Sequence, residues 1–472
     1  MRHLIGGEWR GSADQPIENP SDLDQPMGFS AAGGSADIAD AIAAARAAFP
    51  QWAMASPQLR SDILDKAGSL VLARAADLGR ILALEEGKTL AEAMGEATRA
   101  GQILKFFAGE ALRLTGERVA STRPGVDVEI TREPLGVIGL ITPWNFPIAI
   151  PAWKLAPAIA FGNCVVLKPA ELTPATAAAL VAILVEAGLP AGVVNLVLGP
   201  GRVIGQALVD SPDVDGISFT GSVPTGRAIA AACAARGKPV QCEMGGKNPM
   251  LVLADADIDK AVAACLNGAF FATGQRCTAS SRLIVERGVH DQFVDRLTKA
   301  MAALTIGPAL DPASQIGPVV DAGQFAKDCA HVEGARQDGV DVFGGARVDC
   351  ATRGHFLAPA LAIATRPDMA INREEVFGPV ASTIIADDYD HGLALANDTE
   401  FGLSAGICTQ SLARARHFLR HAQAGMVMVN LPTAGVDPHV PFGGRKASSF
   451  GPREQGSYAR QFYTVVKTGY IG

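Results

Sequence analysis

No stretch of this chain is both long and apolar. Its most apolar segments are broken by proline and glycine well before the roughly 20 residues that a membrane-crossing helix needs. The run from Met1 to Trp9 lacks the apolar core of a secretory signal. No pair of cysteines has the CxxC spacing of a zinc site, so no metal centre is expected. The eight cysteines (Cys164, Cys233, Cys242, Cys265, Cys277, Cys329, Cys350 and Cys408) are scattered singly. In a chain of this length that pattern predicts reduced thiols in a cytoplasmic protein rather than a disulfide framework. No block of like charges occurs and the net charge is -7, which gives no footing for a nucleic-acid partner. Internal repeats and low-complexity linkers are also missing.

What is present describes an ordinary globular protein, 48% hydrophobic and 19% charged. A chain of 472 residues is too long for one core and predicts two or three domains. Residues 1 to about 35 read as short strands and turns, punctuated by Gly6-Gly7, Asn19-Pro20 and Gly33-Gly34. From Ser35 to about Arg113 the apolar spacing is helical, with starts at Asp37 and Ser56-Pro57. Val126 to Ile130 alternates as a half-exposed strand does. From Pro134 onward short apolar strands alternate with helices. The strands are Gly136–Ile141, Cys164–Lys168, Val193–Leu198 and Ile217–Thr220, and a helix over Ile148–Ala160 is expected despite its two prolines. That alternation predicts a parallel, doubly wound sheet, with ligands at the carboxyl ends of its strands. A second α/β set is expected from about Met250 to Phe442, and an edge strand in the tail around Phe462–Val466.

Two stretches carry the chemistry. Phe271-Ala272-Thr273-Gly274-Gln275-Arg276-Cys277 places one thiol after a glycine that frees the backbone to turn. A lone cysteine is usually an inert core residue, and a free thiol is mostly protonated at neutral pH. Cys242-Glu243-Met244-Gly245-Gly246 supplies a single carboxylate before a glycine pair, which suits a general base on a tight turn. Two glycine patterns compete for a phosphate role. Gly199-Pro200-Gly201 through Gly205 has GxGxxxG spacing, one residue longer than the dinucleotide fingerprint, and by itself reads as a strand-to-helix turn. Phe219-Thr220-Gly221-Ser222 follows a strand and opens a helix, whose free N–H groups can meet a pyrophosphate.

Seven motifs in one order resemble the NAD(P)-dependent aldehyde dehydrogenase superfamily along essentially the whole chain. They are Pro143-Trp144-Asn145-Phe146-Pro147, Lys168-Pro169-Ala170-Glu171, Phe219–Ser222, Glu243–Lys247, Gly274–Cys277, Glu375-Val376-Phe377-Gly378-Pro379 and Pro441-Phe442-Gly443-Gly444. The resemblance implies two Rossmann-like domains and a small oligomerisation sheet. It places residues 1–111 and 134–245 in the dinucleotide-binding domain, 246–444 in the catalytic domain, and 112–133 with 456–472 in the oligomerisation element. It implies that Cys277 is the nucleophile, that Asn145 and the Cys277 N–H hold the oxyanion, and that Glu243 activates water. Lys154 and Glu454 fall where the family has a proton path. Lys168 and Glu171 would meet the adenine ribose, Gly221 and Ser222 the pyrophosphate, and Glu375 the nicotinamide ribose, with Phe377 and Trp144 completing the cofactor set. A carboxylate at Glu171 repels a 2′-phosphate, so NAD is expected over NADP, although Lys168 pulls the other way.

Phe146, Trp153 and Phe442 would line the substrate channel. Trp153 stands where succinate-semialdehyde enzymes often carry an arginine. The block Met426 to Lys446, with Gly451–Gly456, resembles the branch that oxidises α-ketoglutaric semialdehyde (2,5-dioxopentanoate) to 2-oxoglutarate. Arg276 and Arg445 are candidate partners for its carboxylate. A broad-specificity enzyme, or one acting on succinate or glutarate semialdehyde, is the alternative. A CoA-acylating relative would lack the Glu243 carboxylate, and a non-catalytic binding protein would lack the cysteine or the base. The expected partners are a small aldehyde and further copies of the chain, as a homodimer or homotetramer.

Overall fold

Each apolar run in the middle of the chain is too short to bury itself as a helix, so the runs pair edge to edge. In the computed structural model, which describes residues 1–472, they form two large sheets. The first has eight strands. Five are parallel, in the spatial order Val240–Glu243, Gly216–Thr220, Val137–Ile141, Cys164–Lys168 and Val194–Leu196. His3–Ile5 and Glu8–Arg10 extend one side antiparallel, and Ser449–Phe450 closes the other against Val240–Glu243. The second has seven strands, in the order Asp341–Gly344, Ala360–Ile363, Val380–Ala386, Ser280–Glu286, Asn248–Val252, Ser404–Cys408 and Met426–Val429. Only Asp341–Gly344 runs against the rest. Most of the central strands are buried along their whole length, as strands covered on both faces must be.

The helices start where local chemistry satisfies their first N–H groups. Ser56 Oγ accepts from the Leu59 N–H at 3.2 Å, and Pro57 fills the first helical position of Pro57–Ala73. Thr89 and Glu92 form a reciprocal capping box at the start of Leu90–Ala111. In Ala149–Ala160, Pro151 lies in the first turn, where its missing N–H costs nothing, while Pro157 is interior. No helix is long and apolar enough to cross a membrane.

Two local expectations differ from what is seen. Glu243 is the last residue of a strand rather than part of a turn, and the turn begins after it. Phe462 and Tyr463 lie in the helical turn Arg460–Tyr463, both buried, and the tail strand is Thr464–Ile471. Their rings are taken into the core of the first sheet, whereas the following Val465 and Val466 are exposed. The tail strand pairs antiparallel with Asp127–Pro134, which pairs with Glu117–Ala120, making a separate three-stranded sheet.

The five parallel strands of the first sheet all end at one edge. Leaving that edge are Pro143 to Asn145, Lys168 to Glu171, Gly199 to Gly201, Gly221-Ser222, and Gly245-Gly246. The last pair leads directly into Asn248–Val252, an interior strand of the second sheet beside its central one. The segments that enter that sheet, ending at Ser280 and Val380, carry Cys277 and Glu375. A carboxyl edge and an amino edge therefore meet, and the seven motifs collect between them.

Candidate active site

Cys277 lies between the short helical turn Phe271–Gly274 and strand Ser280–Glu286. Ala272, Thr273 and Gly274 all have positive φ, at 50°, 55° and 64°, and three successive left-handed residues fold the backbone sharply. A Cβ at Gly274 would stand 2.0 Å from the Gly378 carbonyl oxygen, so only glycine fits that approach. The turn is held from outside itself. The Ala272 N–H donates to Glu92 Oε1 at 2.7 Å, and Thr273 Oγ1 to the Gly317 carbonyl at 3.1 Å. Behind the cysteine, Asn248 Nδ2 donates to the carbonyls of Cys277 and Ala279 at 2.8 and 2.9 Å.

The half-buried Cys277 lines a cavity of about 300 Å³. Phe146, Trp153 and Phe442 form its aromatic wall, and the Trp153 and Phe442 rings lie 5.4 Å apart. Burial pushes the Cys277 thiol up to about 12. The carboxylates of Glu375 and Glu243 push the same way, and the N–H groups of Cys277 and Thr278 oppose them. The resting sulfur is therefore a thiol.

Asn145 is buried, and its Nδ2 donates to the Gln275 carbonyl at 3.0 Å, two residues before the cysteine. That bond uses one amide hydrogen and leaves the other. The loop carrying Asn145 is pinned by charged groups that the motifs do not name. Lys88 Nζ donates to the Asn145 carbonyl and to Glu96 Oε2, both at 2.7 Å, and lies 4.1 Å from the Phe146 ring centre. Glu96 Oε1 accepts from the N–H groups of Ile148 and Ala149 at 3.1 Å each, at the start of the next helix. Glu92, Glu96 and Arg99 share one face of Leu90–Ala111 by their four- and three-residue spacing, and all three line the cavity. Sequence reading missed them because a charged stripe on an alanine-rich helix looks like a solvated face.

Glu243 is 2% exposed and does not line the cavity. Ser449 Oγ donates to its Oε2, and Gln241 Nε2 donates to its Oε1 at 3.4 Å. Burial, and then the nearby Glu454 carboxylate, hold the Glu243 carboxyl well above the usual carboxylate range. Ser449, Lys154 and Arg453 oppose them. Lys154 and Glu454 form a buried ion pair. Lys154 Nζ also donates to Ser218 Oγ at 2.7 Å, and Ser218 Oγ to Gln241 Oε1 at 2.6 Å. Gln241 thus stands between the base and the pair.

The other expected residues line the same junction. Glu375 Oε1 accepts from the Gly246 N–H at 2.8 Å, and a Cβ at Gly245 would stand 2.1 Å from Glu375 Oε2, so the glycine pair makes room for this carboxylate. Phe377 has φ 70° and packs edge-on to Trp144 at 5.3 Å. Lys168 Nζ lies 3.8 Å from Glu171 Oε1, which accepts from the Gly201 N–H at 2.8 Å. The glycine turn at Gly199 therefore reaches the lysine–glutamate motif, a contact its spacing alone did not reveal. Gly221 and Ser222 lead into helix Val223–Ala234. The Ser222 side chain does not cap that helix but bonds Thr225 Oγ1 at 3.0 Å. Of the two arginines singled out, Arg276 lines the cavity and Arg445 does not.

The aldehyde dehydrogenase family model matches residues 9–469. The chain is 40% identical to an alpha-ketoglutaric semialdehyde dehydrogenase of Bacillus subtilis, over 99% of this chain and 97% of that one. It is also 40% identical to a betaine aldehyde dehydrogenase of Rhizobium leguminosarum, over 92% and 89%. Among solved structures, an NAD-dependent aldehyde dehydrogenase from Sinorhizobium meliloti superposes with a TM-score of 0.97 at 35% identity, covering 100% of this chain and 94% of that one.

Proposed function

The chain belongs to the aldehyde dehydrogenase family, and on that premise we propose that it oxidises α-ketoglutaric semialdehyde to 2-oxoglutarate with NAD(P). The observation that carries this reading is Cys277 in the wall of a cavity, with the Asn145 amide fixed to the same turn by its bond to the Gln275 carbonyl.

Cys277 gives up its thiol proton to solvent, the thiolate Sγ bonds to the carbonyl carbon, and the carbonyl π pair passes to oxygen as the oxyanion of a thiohemiacetal. The free amide hydrogen of Asn145 and the Cys277 N–H meet the oxyanion. The Asn145 amide is fixed beforehand by its bond to Gln275, which is what such stabilisation requires. The residues fit a dinucleotide. Thr220 Oγ1 is buried without a partner, beside the free N–H groups that open helix Val223–Ala234. Lys168 and Glu171 would hold the adenine ribose, Gly221 and Ser222 the pyrophosphate, and Glu375 with Phe377 and Trp144 the nicotinamide end. When bound, NAD accepts the hydride. Glu243 then takes a proton from the water that attacks the remaining thioester, releasing the acid and the thiol. We assign Lys154 and Glu454 to setting the charge felt by Glu243, because the amide of Gln241 lies between and does not relay protons as a carboxyl does. The Glu171 carboxylate supports NAD over NADP.

Oligomerisation is part of the proposal. Thr464–Ile471 and Glu117–Ala120 are open edges of their sheet, and Val466, Tyr470 and Ile471 are exposed. One observation favours a second substrate reading. The three aromatic rings of the cavity suit a quaternary ammonium through cation–π attraction, as betaine aldehyde would need. Steady-state reduction of NAD and NADP with α-ketoglutaric semialdehyde, succinate semialdehyde, betaine aldehyde and butanal separates the readings. The expected result is the highest kcat/KM for α-ketoglutaric semialdehyde. A preference for betaine aldehyde overturns it.

A further inference from the structure

Three cations line the cavity beside Cys277: Lys88, Arg99 and Arg276. Two are already used. Lys88 is fully buried and pairs with Glu96 at 2.7 Å. Arg276 pairs with Glu92 at 3.3 Å, and the same Glu92 oxygen accepts from the Ala272 N–H. Glu92 and Glu96 are the only carboxylates in the lining, so both negative charges are consumed. Arg99 has no ion pair. Its one hydrogen bond runs from Nη1 to the Val436 carbonyl. Half-buried, it lies one turn along the helix from Glu96, where that bond ties it to the loop carrying Ala434 and Gly435. Arg99 is therefore the one cation of the wall without an ion pair; the carboxylate whose charge it feels, Asp437, lies outside the lining, and guanidinium hydrogens are left to spare beside the aromatic rings.

We propose that Arg99 receives the distal carboxylate of the aldehyde and so determines the enzyme's specificity for anionic substrates. A guanidinium offers two parallel N–H donors to a carboxylate, which fixes the far end of the substrate while the aldehyde reaches the sulfur. The same charge repels a trimethylammonium group, which turns the aromatic wall against betaine aldehyde. Arg276, the arginine that the sequence brought forward, is committed to Glu92 and is not this receptor. The inference rests on the substrate reading above and names the residue that enforces it.

The test compares wild type with Arg99→Gln, which keeps a donor for the Val436 carbonyl but removes the charge, and Arg99→Lys, which keeps the charge. Arg99→Gln is expected to raise KM for α-ketoglutaric semialdehyde at least tenfold with kcat changed less than threefold, and to leave butanal kinetics unchanged. Arg99→Lys is expected to recover part of the loss. Glutarate is expected to slow alkylation of Cys277 by iodoacetamide in wild type and not in Arg99→Gln. If wild type prefers anionic aldehydes and Arg99→Gln keeps that preference in full, Arg99 is not the receptor and the substrate reading survives. If wild type shows no preference for anionic aldehydes over butanal, the substrate reading fails and takes this role with it. Equal losses for α-ketoglutaric semialdehyde and butanal mark a merely structural residue and also overturn the proposal.

Discussion

At the scale of single residues, burial and the Glu454 charge both disfavour the ionised form of Glu243, so its carboxyl keeps its proton to a higher pH than an ordinary glutamate does. It becomes a base only by giving that proton up, so turnover should fall as the pH drops through its raised pKa. Replacing it with glutamine keeps the shape and removes the base. Glu243→Gln is expected to lower steady-state turnover by roughly 10²–10⁴-fold, the usual contribution of a positioned base. A burst of reduced cofactor, one equivalent per site, is expected to precede it in rapid mixing, since the acyl-enzyme forms and is not hydrolysed. Loss of the burst would mean that Glu243 is also needed to ionise Cys277, whose thiol is pushed up to about 12. The left-handed backbone at Ala272 and Thr273 belongs to the same scale. Non-glycine residues hold such angles only where their surroundings insist, at about 1–3 kcal/mol each. Here the insistence comes from Glu92 and from the Gly317 carbonyl.

Among elements, two helices position the reactive groups from outside the loops that carry them. Leu90–Ala111 fixes the cysteine turn and the Asn145 loop from one charged face. Ala322–Gln337 does the same for the loop that carries Glu375. Gln324 Nε2 donates to the Val376 carbonyl at 2.8 Å, and Lys327 Nζ to the Glu375 carbonyl at 2.9 Å. On that helix Asp328 is buried, with Oδ2 unpartnered, and burial pushes its carboxyl up to about 7. Between about pH 4 and 7 the folded chain keeps this proton while the unfolded chain has lost it, so this group makes stability fall as pH rises across that window. Asp328→Asn is therefore expected to raise the melting temperature at pH 8, by an effect worth roughly 1–3 kcal/mol, and to make little difference at pH 4. An equal effect at both pH values would show that the substitution acts through packing instead.

These elements also show how much of the molecule could be read beforehand. Strands such as Cys164–Lys168 announce themselves, because burial on both faces needs an unbroken apolar run. The motifs were legible because thiol, amide and glycine chemistry is local in sequence. Lys88, Glu96 and Arg99 were not, since their partners lie 8 to 337 residues away and charge on a helix has no sequence mark that separates buried from exposed. Phe462 and Tyr463 misled for a related reason: aromatic, strand-like residues were taken by the core of a sheet far earlier in the chain.

For the molecule as a whole, the three-stranded sheet stands apart from both cores, and its exposed apolar positions predict association. Val466 and Tyr470 share one face of the tail strand. Changing both to aspartate is expected to bring the mass measured by light scattering down to the 48.9 kDa of one chain. An unchanged mass would place the interface elsewhere. The first sheet has a different consequence. Its outermost members come from both extremes of the chain, Glu8–Arg10 on one side and Ser449–Phe450 on the other, and Ser449 donates the short bond to Glu243. A nascent polypeptide therefore exposes its reactive sulfur long before the carboxylate has its last hydrogen-bond partner. Translation has to pass Phe450 before base and nucleophile share a finished setting.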